Sequence, residues 1–521
     1  MTTSTTFAQD DLDRLLSGTH WNPRAILGPH QTARGLTIRA WLPFADSVEI
    51  LPAGQTTPVQ AGCLHPAGLF EAFLPEQSHP LRYTIRSRAA DGIVTEHRDP
   101  YAVPPLLTDF ELHLFSEGTF YRAYETLGAH VRTIDGVTGV HFVVWAPNAA
   151  RVSVVGEFNR WDGRCHPMTN RGSSGLWELF LPDLPDGSLY KYEIRPRGQD
   201  TLLLKADPYA RAGELRPRTA SIVRDLSDFT WHDKDWMDAR AQWNPLKAPV
   251  AVYEVHLGSW MRVPEDHNRW LTYRELAGKL IPYVKNLGYT HLELLPVTEH
   301  PFDGSWGYQA TGYFAATSRY GAPEDFMAFV DAAHQADIGV IMDWAPAHFP
   351  DDAHGLACFD GTHLYDHADP RLGYHPDWHS RIFNYDRPEV RNFLVAAVTL
   401  PFWISILIRT YGLRQIIDDN GPIGWVMHKI GYESFHIIYT PTATMIGLTY
   451  VFLPFMILPI YASAERFDFR LAESAYDLGA KRWTVFRRIV LPSIRPGVIS
   501  GIALVFIPAL GSFLQSNMLG G

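Results

Sequence analysis

The chain changes character near residue 397, and this change constrains the fold more than any other feature of the sequence. Before that point the sequence is polar and acidic, whereas residues 398–521 carry 10 basic and 7 acidic side chains. Uncharged, apolar runs occupy residues 393–408, 440–464 and 496–521. A helix needs about 20 mostly apolar residues to cross a bilayer. We therefore expect a polar multidomain region followed by an all-α membrane segment with about three helices.

Charge and cysteine content exclude several classes of protein. Lys and Arg total 45 against 56 Asp and Glu, so no uniformly basic surface is available for nucleic acid. The cysteines Cys63, Cys165 and Cys358 are far apart and lack metal-ligand spacing, which argues against a disulfide framework. The first residues also lack the basic and apolar regions of a secretory signal. These features predict a cytoplasmic N-terminal region.

A repeat runs through the first 230 residues. GLTIRAWLPFADSVEI from Gly35 is echoed by GVHFVVWAPNAARVSV from Gly139, and DPYA occurs twice, at residues 99 and 207. Short alternating strands separated by turn residues predict two all-β, immunoglobulin-like sandwiches, over residues 1–110 and 111–230. Trp41 and Trp145 lie inside strand patterns and are expected in the cores. Trp161, in the turn-rich FNRWDG, fits a buried position or an exposed face that stacks on a sugar ring.

From residue 250 the hydrophobic period changes to alternating strands and helices. One predicted helix places Leu276, Leu280, Val284 and Leu287 on a single apolar face. Three β/α units of this kind predict a parallel sheet or barrel, in which functional residues lie at the carboxyl ends of strands. The run GVIMDW ends one such strand at Asp343. An Asp followed closely by a His is also a common structural pair, so the pattern alone leaves both roles open.

Four longer motifs carry a resemblance to a known family. They are VYEVHLGSW, ELLPVTEHPFDGSWGYQATGYFAATSRYG, DWAPAHFP and FDGTHLYDHADPRLGYHPDW. Over about residues 10–396 the chain resembles bacterial 1,4-α-glucan (glycogen) branching enzymes of the α-amylase clan. The resemblance implies that the second sandwich is a glycogen-binding module, with Trp161 and Trp177 as its glucan contacts. The substrate-binding residues that it implies in the barrel region are Tyr308, Asp343, His348, Trp306 and Gln309.

The same resemblance stops before the catalytic carboxylates. A retaining transglycosidase needs a nucleophilic carboxylate and an acid about 5 Å away, and the family places them after the fourth and fifth strands. After RPEVRNFLVA, which begins the third helix, VTLPFWISILIRTYG replaces the fourth strand, and no later stretch supplies that strand. Asp418 and Asp419 fit a solvated turn. We expect a truncated (β/α)8 barrel over residues 240–397, with about three of eight units, no catalytic residue and a destabilising open edge.

The tail has a resemblance of its own. Residues 398–521 resemble part of the membrane permease subunit of a spermidine/putrescine-type ABC transporter. In LAESAYDLGAKRWTVFRRIVLPS, the residues Glu473, Ala475 and Gly479 match the loop that couples such a permease to its ATPase. The resemblance implies an ATPase partner at residues 470–492, and a C-terminal segment in the bacterial inner membrane in contact with the lipid bilayer. An amphipathic surface helix with solvated charges is the alternative.

Several functions therefore remain open on sequence alone. The first is an α-glucan branching enzyme acting on glycogen or amylose, the second a polyamine permease subunit and the third a membrane-tethered glucan-binding module. The fourth is a chimeric or misassembled chain joined near residues 396–399. We predict a branching-enzyme-like chain without activity, with α-glucan as its partner. No metal or organic cofactor is implied, because His354, His363, His367, His375 and His379 lack zinc-ligand spacing.

Overall fold

The computed structural model describes residues 7–243 and 248–399, together with 475, 480–493 and 495. The chain divides into two units. One contains Met1–Trp243 and Val250–Leu400, and the other contains Asn244–Pro249 and Pro401–Gly521. The change in sequence character near residue 397 thus coincides with a boundary between units.

The first β-module follows helix α1 (Gln9–Ser17) and is one antiparallel path of seven strands, in the order β1-β2-β5-β4-β3-β6-β7. Its strands are β1 (Gly28–Thr32), β2 (Gly35–Trp41), β3 (Ala45–Pro52), β4 (Val59–His65), β5 (Leu69–Pro75), β6 (Tyr83–Ala89) and β7 (Val94–Arg98). Strand β4 pairs with β3 through its first residues and with β5 through its last. The all-β prediction is confirmed, but β4 joins the two layers into one folded sheet.

The second β-module follows helix α2 (Asp109–Ser116) and has two separate sheets. One has the order β11-β12-β9-β8, and the other has β10-β13-β16-β15 with β14 paired to β13. The strands are β8 (Gly128–Ile134), β9 (Val137–Trp145), β10 (Ala149–Gly156), β11 (Thr169–Asn170), β12 (Leu176–Pro182), β13 (Leu189–Pro196), β14 (Leu203–Lys205), β15 (Ala212–Gly213) and β16 (Ser221–Ile222). Trp41 and Trp145 are both buried, so their prediction as core residues is confirmed.

The sequence repeat extends to individual hydrogen bonds. In the first module the Tyr83 hydroxyl donates to the buried carboxylate of Asp99 at 2.6 Å. In the second, the Tyr190 hydroxyl donates to buried Asp207 at 2.6 Å, and Tyr192 adds a second donor at 3.2 Å. A buried carboxylate requires such donors, because burial without them is strongly unfavourable. The two DPYA motifs therefore perform the same structural task in the two modules.

The barrel-like region is built on a three-stranded parallel sheet of order β17-β20-β23, in which residue 252 is aligned with residue 291 and residue 291 with residue 339. The elements up to β21 are α3 (Lys234–Gln242), β17 (Val252–Val255), α4 (Leu257–Trp260), β18 (Arg262–Val263), β19 (Arg269–Trp270), α5 (Tyr273–Asn286), β20 (His291–Leu294) and β21 (Thr298–Glu299). Those that follow are β22 (Gly312–Ala316), α6 (Pro323–Gln335), β23 (Gly339–Met342), β24 (His348–Pro350), α7 (Pro370–Gly373), β25 (Tyr374–His375), β26 (Ser380–Ile382) and α8 (Pro388–Thr399). Three β/α units are thus present, as predicted.

Helix α5 shows how the apolar pattern was used. Thr272 caps its first turn, with its hydroxyl accepting the N–H of Glu275. Leu276, Leu280 and Val284 are fully buried on one face, as predicted. Leu287 was predicted on the same face, but its side chain is 55% exposed. That prediction is wrong because α5 ends at residue 286, so Leu287 has left the helical period.

The parallel sheet has two open edges within residues 7–243 and 248–399. In that part of the chain β20 is hydrogen-bonded on both sides, whereas β17 and β23 each have one neighbouring strand. Helix α8 follows at the position predicted for the third helix. The open edge expected from a truncated barrel is therefore observed at β23 in the described structure. Its destabilising effect stays a prediction.

In the second unit the structure describes residues 248–249, 475, 480–493 and 495. A short α-helix, Arg482–Val485, continues into a π-helical turn, Phe486–Val490, and Val485 packs against Ala475 and Ala480. Glu473 and Gly479 lie outside the described residues. No helix in the described part of the chain has the length and apolar character needed to span a bilayer. The predicted spans lie outside that part, except for the start of the first, in α8.

Candidate functional site

Two predicted site residues meet at the carboxyl ends of the parallel strands. Asp343 directly follows β23, and its backbone N–H donates to the carbonyl of Leu294, the last residue of β20, at 2.8 Å. Tyr308, in the loop between β21 and β22, donates its hydroxyl proton to Oδ2 of Asp343. This bond, burial and the Asp343 charge raise the pKa of Tyr308 to about 12. The pair therefore presents a phenol and a carboxylate at the edge where such sheets bind ligands.

An aromatic wall is formed by His348 in β24, His375 in β25 and Trp378 in the turn between β25 and β26. His348 begins β24, and its buried ring lies 5.3 Å from the Trp378 ring and 6.0 Å from the His375 ring. Burial lowers the pKa of His348, so it is a neutral imidazole at pH 7. The side-chain amide of Gln309 donates to the carbonyl of Trp378 at 3.0 Å. The predicted residues His348 and Gln309 thus both contact Trp378, whose indole is 58% exposed.

Trp306 provides a second exposed aromatic face. Its ring stacks on His256, with centroids 5.3 Å apart and planes within 14°. His256 follows strand β17, and its Nδ1 lies 2.9 Å from Oγ of Ser259. Half of the Trp306 side chain remains exposed. Neither His256 nor Trp378 was among the site residues predicted from the sequence.

A charged network supports the loop that carries Tyr308. The buried carboxylate of Glu299 accepts the N–H of Ser318 at 2.7 Å and the Arg319 guanidinium at 3.1 Å. Arg319 also pairs with Asp303 at 2.8 Å, and Asp303 pairs with Arg216 of the second β-module. Burial raises the pKa of Glu299, opposed by these donors. Although Glu299 follows β20 in sequence, these contacts make it a structural ion-pair partner.

His300 makes the stability of this region sensitive to acid. It is buried, its Nδ1 donates to the Thr298 carbonyl at 2.8 Å, and burial together with Arg319 lowers its pKa to about 4. In the unfolded chain the His300 imidazole is protonated near pH 6.5. Stability from neutral His300 is thus complete above pH 6.5 and is lost as pH falls towards 4, on the order of 3 kcal/mol. We expect His300→Asn to flatten the fall in thermal midpoint between pH 7.5 and 5.

A matched variant isolates this effect from the other histidines. His113 is exposed on helix α2, and His113→Asn is expected to keep the parent pH dependence. If the thermal midpoint falls equally with pH in the His300→Asn variant and in the parent protein, His300 is not the source of the acid sensitivity.

The glucan-contact residues predicted in the second β-module behave differently from each other. Trp161 is 37% exposed and, with Arg160, adopts a positive φ near 58° in the FNRWDG turn. Asn159 holds this turn, accepting the N–H of Gly156 and donating to the Val154 carbonyl, each at 2.9 Å. The role of Trp161 as a glucan contact stays a prediction.

Trp177, in contrast, is fully buried. It faces the core from β12, and its Nε1–H donates to the Ala146 carbonyl at 2.9 Å. An indole without exposed surface has no face on which a sugar ring can stack. The prediction of Trp177 as a glucan contact is therefore wrong, because the alternation of β12 turns this residue into the sandwich core.

Among the described residues, no group of three or more His, Cys, Asp or Glu side chains is arranged to hold a metal ion. The three cysteines are free thiols, and burial raises the pKa of Cys165 to about 12.

The fold and the strand-end site define the class: two β-modules joined to an amylase-like catalytic domain, of which three β/α units are described. Family comparisons agree with this assignment. Residues 126–210 match carbohydrate-binding module 48 (isoamylase N-terminal domain), and residues 275–364 match the α-amylase catalytic domain. Residues 8–101 match the N-terminal domain of the α-1,4-glucan branching enzyme GlgB. Residues 387–521 match the binding-protein-dependent transport system inner membrane component.

Over its N-terminal part the chain is homologous to 1,4-α-glucan branching enzymes GlgB. It is 54% identical to the enzyme of Rubrobacter xylanophilus over 397 residues, which cover 76% of this chain and 54% of that relative. The enzyme of Methylococcus capsulatus is 51% identical over 440 residues, 83% of this chain and 58% of the relative. The chain thus spans little more than half the length of the relatives it matches.

Proposed function

We propose that residues 7–399 bind α-1,4-glucan, such as glycogen or amylose, without catalysing branching. One observation carries the proposal: the hydrogen-bonded Tyr308–Asp343 pair lies at the strand ends of the same compact unit that bears exposed Trp306 and Trp378. Relatives named 1,4-α-glucan branching enzymes supply the ligand class. The enzyme activity in that name is not part of the proposal, because the parallel sheet of residues 7–243 and 248–399 has three strands and none at the position expected to carry the nucleophile.

The site has the chemistry that a glucan requires. A pyranose ring offers an apolar face that packs on an indole, and hydroxyl groups that both donate and accept hydrogen bonds. Trp306 and Trp378 provide the exposed indoles, while Tyr308, Asp343 and His348 provide polar atoms. In the described structure Nδ1 of His348 is buried and has no hydrogen-bond partner. A ligand that reorders this wall would offer it one.

Removing the Trp378 indole is expected to weaken glucan binding about fivefold, since an aromatic contact contributes about 1 kcal/mol and each 1.4 kcal/mol is tenfold. The measurement is affinity electrophoresis of the full chain in gels that contain glycogen. Trp21→Ala is the matched control, because Trp21 is 49% exposed but belongs to the first β-module. The loss of glucan affinity in Trp161→Ala reports how much of that affinity the second β-module contributes. Equal retardation of the parent and the Trp378→Ala variant would place the glucan elsewhere.

The junction between the two unlike regions supports a chimeric or misassembled chain as its origin. The amylase match ends at residue 364, the transport match begins at 387, and the compact units divide at residue 400. A single long DNA read across the codons for Val395 to Leu400 tests this. A read that continues into a fourth barrel strand would mean that the native protein is an ordinary branching enzyme.

The match of residues 387–521 supports a second candidate, in which a transporter-derived tail tethers the glucan-binding region to the inner membrane. The lipid bilayer and an ATPase bound through residues 470–492 are the partners that this candidate requires, and its N-terminal region would be cytoplasmic. Carbonate extraction of membranes and co-purification with a polyamine-transporter ATPase test the two partners separately. Release of the chain from membranes by carbonate would contradict a membrane-inserted tail.

A further inference from the structure

Lys205 occupies a cage of backbone carbonyls. It ends strand β14 of the second β-module and is 2% exposed. Its Nζ donates to the carbonyl oxygens of Ala353 at 2.7 Å, Gly355 at 3.3 Å and Ala357 at 2.6 Å. An ammonium group has three protons, so each finds one carbonyl. Because a buried charge is tolerated only when it is fully hydrogen-bonded, Lys205 and the three carbonyls must keep this arrangement together.

Further bonds join the same β-module to the same segment, residues 351–366. The N–H of Ala206 donates to the His354 carbonyl at 2.8 Å. Asn148 donates both its backbone N–H and its side-chain amide to Oδ2 of Asp360, at 2.9 and 3.0 Å. Segment 351–366 is therefore attached to the second β-module through Lys205, Ala206 and Asn148, and also through Gln199, whose side-chain amide donates to the Gly361 carbonyl at 3.3 Å. Lys205 is the cation among these groups, and its ammonium is buried.

Segment 351–366 is in turn attached to the wall that carries His348. Arg381 of β26 donates to Asp351 at 2.7 Å, and the N–H of Asn384 donates to the Tyr365 carbonyl at 2.8 Å. Strand β26 pairs with β24, which begins with His348. Hydrogen bonds, together with the backbone of segment 351–366, thus connect the ammonium of Lys205 to the aromatic wall of the candidate site.

We propose that Lys205 is a positioning residue for the glucan site, whose ammonium fixes segment 351–366 and, through it, the strands that bear His348 and flank Trp378. The second β-module is then a structural part of the strand-end site as well as a binding module. The effect on ligand rests on the proposed glucan binding, whereas the effect on backbone order does not.

The charge, and not only the volume, of Lys205 is required. A methionine of similar size would leave three buried carbonyls without a donor, which is unfavourable for each of them. Burial lowers the pKa of Lys205 to about 8, and Cys358, Asp360 and Asp366 oppose that shift. The side chain is therefore an ammonium at neutral pH, as the three short contacts require.

Hydrogen exchange of the unliganded full chain tests the positioning step. In Lys205→Met, amides of residues 351–366 and of strands β24 and β26 should exchange at least tenfold faster, with strands β9 and β12 unchanged. Lys279→Met, at an exposed position of α5, should match the parent. In Lys205→Ala, propylammonium should restore slow exchange and 1-propanol should not. Parent-like exchange in Lys205→Met would overturn the inference, and so would faster exchange spread evenly over both β-modules.

Repeating the experiment with a bound oligosaccharide separates this inference from the proposed function. Maltoheptaose should slow exchange of residues 374–382 in the parent, and its Kd should rise at least tenfold in Lys205→Met. Absence of protection in the parent would refute the proposed glucan site and leave the result for the unliganded chain standing. Equal affinity in the parent and Lys205→Met would overturn the positioning role while the glucan site remained.

Discussion

Glu178→Ala is expected to destabilise the second β-module by about 3–5 kcal/mol, since it removes one partner of a buried ion pair. Glu178 is buried, and its Oε2 accepts Nε2–H of His141 at 2.9 Å and the N–H of Leu106 at 2.8 Å. Arg171 pairs with the other oxygen. Burial raises the pKa of Glu178, but His141 and Arg171 outweigh it and lower the pKa to about 2. The variant would leave a guanidinium and an imidazole buried without their acceptor.

Urea unfolding of the full chain, followed by near-ultraviolet circular dichroism, measures the loss. Glu125→Ala is the matched control, because Glu125 forms an ion pair with exposed Arg122. Surface pairs contribute about 0–1 kcal/mol, so this variant should unfold near the parent midpoint. A loss below 1 kcal/mol for Glu178→Ala would show that the buried pair is replaced at little cost and would contradict the expected result.

The local pattern of the sequence was sufficient to predict the helices and strands and many of the buried core residues. Trp41 and Trp145 were placed correctly because each lies within an alternating strand pattern that repeats in the chain. Leu276 and Leu280 were placed correctly by the helical period of α5. Leu287 was not, because the helix end depends on a cap and a turn whose signals are weaker than the apolar period.

The candidate site was predictable only where a motif carried it. Tyr308 and Asp343 were named together from the family resemblance, and the structure brings them into contact across 35 residues. Trp378 is the last residue of the motif FDGTHLYDHADPRLGYHPDW, yet nothing in the neighbouring sequence indicated that it packs on His348. The Lys205 cage joins residues about 150 apart in sequence, and backbone carbonyls leave no residue-type signature. Contacts of this kind depend on tertiary packing, which a single sequence does not display.

Amylose incubated with the full chain is expected to keep its iodine absorbance, with a transfer rate at least ~10⁴-fold below that of a complete branching enzyme. A retaining transfer needs two carboxylates about 5 Å apart, one to attack the sugar and one to protonate the leaving oxygen. Among the described residues, the first acids that follow β20 and β23 in the chain each have another partner. Asp343 is bound by Tyr308, and Glu299 is buried against Arg319.

The assay needs two comparisons to be decisive. The branching enzyme of Rubrobacter xylanophilus, 54% identical to this chain over 397 residues, is the positive control. The same preparation of the full chain must also be retarded in a glycogen gel, so that inactivity reflects missing carboxylates and not an unfolded protein. Asp343→Asn should match the parent in the iodine assay, because the role proposed for Asp343 is to bind the sugar and not to attack it. A fall in absorbance that the parent produces and Asp343→Asn abolishes would make Asp343 a reacting group and refute the proposal that the chain binds without branching.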